Sequence, residues 1–441
     1  MRASASRGTQ YLGLLLGLLS LAAGACGGGR PGERETASSP PAADGDEAAI
    51  RYLEGRVRQD SDNFIAYNKL AGYYLQRMRE NGSLTYLDLA GRAAHASLAA
   101  LPAEGNPGGL AMLAQVELAA HDFRDARDHG ARLAELDAGT SYPYQILGDA
   151  LLELGEYDRA AAAYRRMERL VERHEENRLN LETRLGRLAF LNGQTDAAER
   201  RFSAALASAL DRDSTPRETI AWCHWQLGEL SFALGRYAAA ETHYRDALAT
   251  FPDYFRALAA LARVRAAEGD VTAAIADYER ATRLVPDPTY VAALGDLYRL
   301  AGRESDARAQ YDLVGHIRTL SALAGTVYDR QLASFYADHD IEAETAYAAA
   351  AKAYVVRRDI YGADVLAWTA LKAGRVAEAQ AAIGQALRLG TLDARLLYHA
   401  GMIARAAGDH ARKRELLRRA LALSPAFDPV HARLAREAEE E

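Results

Sequence analysis

The chain has 441 residues, of which 49% are hydrophobic and 26% are charged, and its net charge is −7. This length suits several compact domains or one extended array, and the abundance of Ala, Leu, Arg and Glu favours helices over strands. The acidic balance disfavours a nucleic-acid partner, because phosphates are bound by basic surfaces.

Residues 1–25 have the pattern of a signal peptide: two arginines and no acid in the first ten residues, then the apolar run Tyr11–Ala25. This run is shorter than the roughly 20 residues that span a bilayer. The motif AGAC at residues 23–26 resembles a bacterial lipobox, in which Cys26 is lipidated and becomes the new N-terminus. The same motif fits the A-x-A rule of ordinary signal peptidase, which would release a soluble protein.

Residues 26–46 are rich in Gly, Pro, Ser and acids. Such a segment buries too little apolar area to order itself, so we predict a flexible disordered tether. A tether directly after Cys26 favours the lipidated form, because it would hold a folded domain near a membrane. The predicted location is the cell envelope, and the outer membrane if the cell has two membranes.

The stretch ILGDALLELGEYDRAAAAYRRM, residues 146–167, favours helix throughout except at Gly155. The same interruption recurs along the chain, and three pairs of equivalent residues each lie 34 residues apart: Gly235 and Gly269, Pro252 and Pro286, Gly374 and Gly408. A fixed period of this size indicates a repeat of two amphipathic helices joined by a tight turn. Gly155 then ends the first helix in a left-handed conformation, and the small Gly148 and Ala160 let the two helices approach closely.

This frame of Leu, Gly, Tyr and Ala positions resembles the tetratricopeptide repeat family, whose period is also 34 residues. The resemblance implies an all-α fold, a right-handed superhelical solenoid of about ten helix-turn-helix units over residues 60–428. Residues 47–59 are predicted to form an N-terminal capping helix and residues 429–441 a C-terminal one. The resemblance also implies a concave face lined by the first helix of each unit, where such proteins bind partners.

The aromatic residues suggest which part of that face binds a partner. Aligning the repeats places Trp222, Trp225 and Phe232 on the concave side of one first helix and Trp368 on that of another. A buried core position is the common alternative for any single Trp, but three together favour an exposed aromatic groove.

A second group follows the same pattern near the C-terminus. Tyr361, Asp364 and Trp368 are followed 34 residues later by Arg395, Tyr398 and Met402, with Arg405 one turn further. Stacked helices would bring these seven residues into one patch, in which rings stack on a peptide and charges orient it. An internal salt link between Asp364 and Arg395 that only fixes the stacking is the alternative.

Patterns that carry catalysis or hold cofactors are absent from the sequence: no phosphate-binding loop, dinucleotide fingerprint, HExxH, GxSxG or EF-hand loop occurs. The two cysteines, Cys26 and Cys223, form neither a disulfide framework nor a CxxC zinc pattern. Cys223 and His224 are adjacent, so on a helix they diverge by about 100° and cannot easily pair as nucleophile and base. We therefore expect no enzyme and no cofactor.

The leading hypothesis is a non-enzymatic interaction scaffold, tethered to the bacterial cell envelope through Cys26, that binds a protein or extended peptide in its concave groove. The alternative is a small-ligand or metal receptor in the C-terminal patch, where Asp364, Tyr398 and His399 would provide the polar groups.

Overall fold

The computed structural model describes residues 42–174, 177–212, 214–324 and 329–441. The predicted signal peptide, Cys26 and the tether up to residue 41 lie outside these residues. Regular structure in the described part is helical, with these bounds: α1 Ala42–Gln59, α2 Phe64–Asn81, α3 Leu84–Ala100, α4 Pro107–Ala120, α5 Phe123–Leu136, α6 Tyr142–Glu153, α7 Tyr157–His174, α8 Arg178–Leu191, α9 Thr195–Leu210, α10 Arg217–Ala233, α11 Tyr237–Thr250, α12 Phe255–Ala267, α13 Val271–Leu284, α14 Pro288–Leu300, α15 Glu304–Ala324, α16 Asp329–Asp338, α17 Ala343–Val356, α18 Ile360–Lys372, α19 Val376–Ala386, α20 Ala394–Ala406, α21 His410–Leu423 and α22 His431–Glu440.

Helices α2 to α21 pair in sequence order as ten hairpins, and α1 and α22 flank them. The predicted all-α solenoid of about ten helix-turn-helix units is confirmed. Helix α1 begins at Ala42, so residues 42–46, predicted as tether, belong to this helix instead. The alanines among its first residues favour helix.

The turn inside each hairpin is closed by a residue in the left-handed conformation. Gly155 has φ +77°, its N–H donates to the carbonyl of Leu152 at 3.1 Å, and the N–H of Glu156 donates to that of Leu151 at 2.9 Å. This arrangement satisfies carbonyls that the helix end leaves unpaired. In the second hairpin His121 adopts the same conformation, with φ 65°.

Close approach of the two helices depends on a second glycine. A Cβ atom on Gly148 would lie 2.3 Å from Cε1 of Tyr164 on the partner helix, and one on Gly228 would lie 2.3 Å from Cε1 of Tyr244. Only glycine leaves room for these rings, because real Cβ atoms do not come so close to other heavy atoms. The predicted role of Gly148 as a close-approach residue is thus confirmed.

The same tyrosines connect successive hairpins through an acid on the first helix. The Tyr164 hydroxyl donates to Asp149 at 2.8 Å, and Arg184 of the next hairpin donates to the same carboxylate at 2.7 Å. Two further hairpins repeat this trio of tyrosine, acid and next-hairpin base: Tyr244, Glu229 and Arg263, and Tyr311, Asp296 and His339. Each acid therefore ties its own hairpin to the one that follows.

First helices form an inner layer and second helices an outer layer. Buried side chains lie on most sides of α4, α6, α12, α18 and α20, whereas α9, α11 and α13 bury a single stripe. A helix buried on most sides has neighbours on most sides. The inner helices therefore contact other elements where an open solenoid would expose its concave face.

Hairpins far apart in sequence also touch, because the array coils back on itself. The backbone N–H of Ile360 donates to the Tyr157 hydroxyl at 2.9 Å, and the Tyr237 hydroxyl lies 2.9 Å from Oγ of Ser424. A Cβ on Gly193 would lie 2.6 Å from the carbonyl oxygen of Gly390. The turns of hairpins three to five thus pack against the connections of hairpins eight to ten.

The glycine beneath each tyrosine ring gives a stability prediction. We expect Gly228→Ala to lower the free energy of unfolding by about 1–3 kcal/mol, because the added methyl group forces the Tyr244 ring to move. Urea denaturation followed by circular dichroism measures this change. Gly384→Ala is the matched control, since a Cβ there meets nothing within 4 Å, and it should leave stability unchanged or raise it by up to about 1 kcal/mol. Equal effects from the two substitutions would contradict the role assigned to Gly228.

Candidate functional site

The C-terminal patch is part of the interior. Trp368 is 3% exposed and Tyr398 1% exposed, so the expectation of an open aromatic groove here is wrong. Both rings pack among helices that gather around Asp338 at the end of α16. Its carboxylate accepts from Nε1 of Trp368 at 2.8 Å and from Nη2 of Arg395 at 2.5 Å, and it lies 3.6 Å from Nε2 of His431. Helices α18, α20 and α22 thus converge on one acid.

Asp364 and His399 form a second buried pair in this region. Nδ1 of His399 lies 2.9 Å from Oδ1 of Asp364, and the imidazole stacks on the Trp368 ring at 4.2 Å with a 12° interplanar angle. His399 is 2% exposed, so this pair is closed to solvent. Asp364 forms an internal link, as the alternative expected, but its partner is His399 and not Arg395. Arg395 pairs with Asp338 instead.

The remaining members of the patch do not form an open surface either. Tyr361 and Met402 are partly buried and pack against the surrounding hydrophobic core. Arg405 is exposed and pairs with Glu441 at 2.5 Å, which holds the end of α22 against α20. The patch is therefore a packing contact between successive first helices and the C-terminal helix.

The charge on Asp338 is stabilised by its partners. Burial raises the pKa of this carboxyl group, but Arg395, His431 and His399 outweigh burial and lower the pKa to about 2. A buried carboxylate of this kind contributes stability while it is ionised.

The aromatic residues of α10 differ from those of the C-terminal patch. Trp222 and Trp225 are partly exposed, whereas Phe232 is buried at 5% exposure. Nε1 of Trp222 is buried and has no hydrogen-bond partner. The Arg256 guanidinium lies 5.6 Å from the centroid of the Trp225 ring, within range of a cation–π contact. These two indoles are the part of the predicted groove that solvent still reaches.

Polar residues of the inner layer were not anticipated from the sequence. Gln115 and Gln145 lie on α4 and α6, are 1% and 0% exposed, and their amide atoms have no hydrogen-bond partner. Arg79 of α2 lies 3.5 Å from Glu218 of α10, four hairpins further along. The available signal was a lone amide among apolar residues, as in LAMLAQVELA around Gln115.

Cys223, considered from the sequence as a nucleophile, is buried. Cys223 is 1% exposed, and burial raises the pKa of its thiol to about 12, so the thiol stays protonated at neutral pH. Its neighbour His224 belongs to a different group, described below.

Protein-family models recognise repeats in this chain. Models described as "Tetratricopeptide repeat" match residues 142–169, 177–253, 226–287, 260–314 and 365–426. These matches fall on hairpins that the structure contains. The chain is a tetratricopeptide repeat protein. A search of the curated proteins found no match.

Solved structures resemble this tetratricopeptide repeat protein at low identity. The human IFIT1 dimer with PPP-AAAA is 14% identical, with 86% of this chain and 94% of that chain covered and a TM-score of 0.45. Pseudomonas aeruginosa PilF is 14% identical, with 50% and 96% covered and a TM-score of 0.39. The Cut9–Hcn1 hetero-tetramer of APC/C is 14% identical, with 91% and 94% covered and a TM-score of 0.33. Similarity at this level does not indicate a shared partner.

We expect acid to weaken the contacts that Asp338 makes with α18, α20 and α22. Because the pKa of this group is about 2 in the folded state, below its ordinary value of 3.8, its contribution is complete above about pH 4 and is lost as the pH falls towards 2. We expect Asp338→Asn to lower the free energy of unfolding at pH 7 by about 1–2 kcal/mol, since Arg395 loses its partner while its side chain, 39% exposed, stays in contact with water.

The measurement is urea denaturation of the wild type and the variant from pH 7 to pH 2. The difference between the two proteins should shrink as the pH falls from about 4 towards 2, because the wild-type carboxyl group is protonated first in the unfolded chain and then in the folded one. Asp340→Asn is the control, because Asp340 is 74% exposed and pairs with Lys372 at the surface. A difference between wild type and Asp338→Asn that does not change with pH would contradict this account.

Proposed function

We propose that this repeat protein is a non-enzymatic scaffold that binds a protein or an extended peptide, with the indoles of Trp222 and Trp225 on α10 as contact residues. The observation that carries this proposal is the contrast between these rings and the rest of the predicted groove: Trp222 and Trp225 are partly exposed, while Phe232, Trp368 and Tyr398 are buried. Partly exposed Trp side chains next to a charged group are typical of binding hot spots.

The chemistry of this surface suits a peptide. The Trp222 ring is partly exposed, although its Nε1 is buried. Trp225 provides a flat apolar face whose neighbour is the Arg256 guanidinium. An apolar side chain of an extended peptide would bury the exposed parts of these rings.

Anchoring to the cell envelope is the second part of the proposal. It rests on the lipobox-like motif before Cys26 and the Gly-, Pro- and Ser-rich residues that follow it. Across the residues that the structure describes, no helix combines the length and the apolar character that crossing a bilayer requires. In the proposed arrangement the attachment is the lipid on Cys26, and firm anchoring takes more than one acyl chain.

The partner surface is tested by affinity capture followed by mass spectrometry. We expect the double variant Trp222→Ala/Trp225→Ala to lose one or more specific partners, because it removes both partly exposed rings, while helicity by circular dichroism stays close to wild type. Tyr52→Ala is the control, since Tyr52 is 66% exposed on α1, and it should keep the same partners.

A buried ring provides the contrast for that experiment. Trp368→Ala should lower the free energy of unfolding by about 3–5 kcal/mol, because it opens a cavity in the core. The proposal would be wrong if the double variant lost stability to the same degree as Trp368→Ala, or if it captured the same partners as the wild type.

Lipidation has a separate test in the native bacterial host. We expect Cys26→Ser to abolish the mass increase of the mature chain that acylation gives and to move the protein from the membrane fraction to the soluble fraction. Ser38→Ala, a substitution elsewhere in the leader, should leave both unchanged. A wild-type chain that is already soluble and carries no acyl mass would contradict anchoring and favour cleavage by ordinary signal peptidase.

A further inference from the structure

The outer side of the fifth hairpin's helix pair brings together three groups that neither the repeat frame nor the proposed partner surface uses. His224 lies on α10, and His243 and Asp246 lie on α11. One ligand atom from each of the three residues lies within 4.8 Å of the other two. Both histidines are partly buried and Asp246 is exposed.

These groups do not satisfy one another by hydrogen bonding. Nδ1 of His224 and Nδ1 of His243 are both buried and have no hydrogen-bond partner. Nδ1 of His224 lies 3.8 Å from Oδ2 of Asp246, which is too long for a hydrogen bond. The two imidazole centroids are 6.4 Å apart at 41°, so the rings do not stack on each other. Two buried ring nitrogens are thus left without a partner, which is costly unless something binds them.

The backbone holds the three residues in place. His243 and Asp246 are three residues apart, so they share one face of α11. His224 comes from the opposite helix of a hairpin that is locked by the contact of Gly228 with Tyr244, the residue next to His243. A site on two packed helices is more rigid than one on loops, and rigid placement favours metal binding.

The surroundings also favour ligation. Burial lowers the pKa of His224 and of His243, and neutral imidazole is the form that binds metal ions. Glu199 also acts on His243, but it is paired with Arg236 at 2.9 Å.

We propose that His224, His243 and Asp246 bind a divalent transition-metal ion of the Zn²⁺ class. Two imidazoles and one carboxylate are a ligand set that such ions favour, and water would complete the coordination. Tetrahedral zinc places its ligand atoms about 3.4 Å apart, so closing the site from 4.8 Å takes a modest movement, which the exposed side chain of Asp246 can provide. This inference is independent of the proposed partner surface.

The test uses the full mature chain without a histidine tag, stripped of metal with a chelator and then titrated with ZnCl₂ by isothermal titration calorimetry. We expect one saturable ion per chain. His224→Gln, His243→Gln and Asp246→Asn keep side-chain size and should each weaken binding by at least about 10-fold, a loss at the low end of that seen when groups supporting a metal site are removed.

Two further measurements separate ligation from a general effect. Co²⁺ in place of Zn²⁺ should give visible absorption typical of four-coordinate cobalt, and this absorption should be missing in the His224→Gln/His243→Gln double variant. His129→Gln is the matched control, because His129 pairs with Glu117 in another hairpin, and it should bind as the wild type does. The proposal is overturned if the wild type binds no Zn²⁺ saturably, or if the double variant, folded by circular dichroism, binds it with wild-type affinity.

Discussion

The structure depends on one repeated contact, in which a tyrosine of the second helix lies over a glycine of the first helix and donates to the acid beside that glycine. At Gly148 the ring of Tyr164 occupies the space of the missing Cβ, and its hydroxyl reaches Asp149 in a buried position. Burial raises the pKa of Tyr164 well above its usual value, so the hydroxyl remains a donor. Because the same carboxylate accepts from Arg184 of the next hairpin, one contact fixes both the distance within a hairpin and the step to the next. The same arrangement recurs in two further hairpins.

The concave face is closed by contacts between successive inner helices and the C-terminal helix. Asp338 is shared by Trp368, Arg395 and His431 from three later helices. A partly buried charge of this kind is tolerated when its partners are close and well oriented. Arg79 and Glu218 form the corresponding pair in the first half of the chain. Paired charges and aromatic rings therefore occupy the interior of the coil, and contacts among the inner helices stabilise the fold.

The features that the sequence predicted are local ones. The 34-residue period, the left-handed Gly155 and the close approach at Gly148 each depend on residues within one hairpin, and the structure contains all three. Exposure could not be predicted in this way. Repeat position shows that Trp368 faces inwards, but its burial depends on Asp338 of the preceding hairpin and on His431 of the C-terminal helix. The bond between Ile360 and Tyr157 spans 203 residues, and no periodic pattern encodes such a contact. The early start of α1 at Ala42 had a simpler cause, since alanines and acids suit a helix N-terminus as well as a disordered segment.

Because the interior is closed, the two proposed binding surfaces both include residues of α10. Residues three apart share a helix face, so Trp222 and Trp225 point to one side, while His224 between them points elsewhere, towards α11. One helix thus carries the partly exposed indoles on one face and the imidazole that meets His243 on another. The N-terminal end of the same helix holds Glu218, whose pairing with Arg79 joins the fifth hairpin to the first. A ligand bound on either face of α10 would therefore contact the helix whose Glu218 joins the fifth hairpin to the first. Such a ligand stabilises the closed coil only if it binds the closed form more tightly than an opened form.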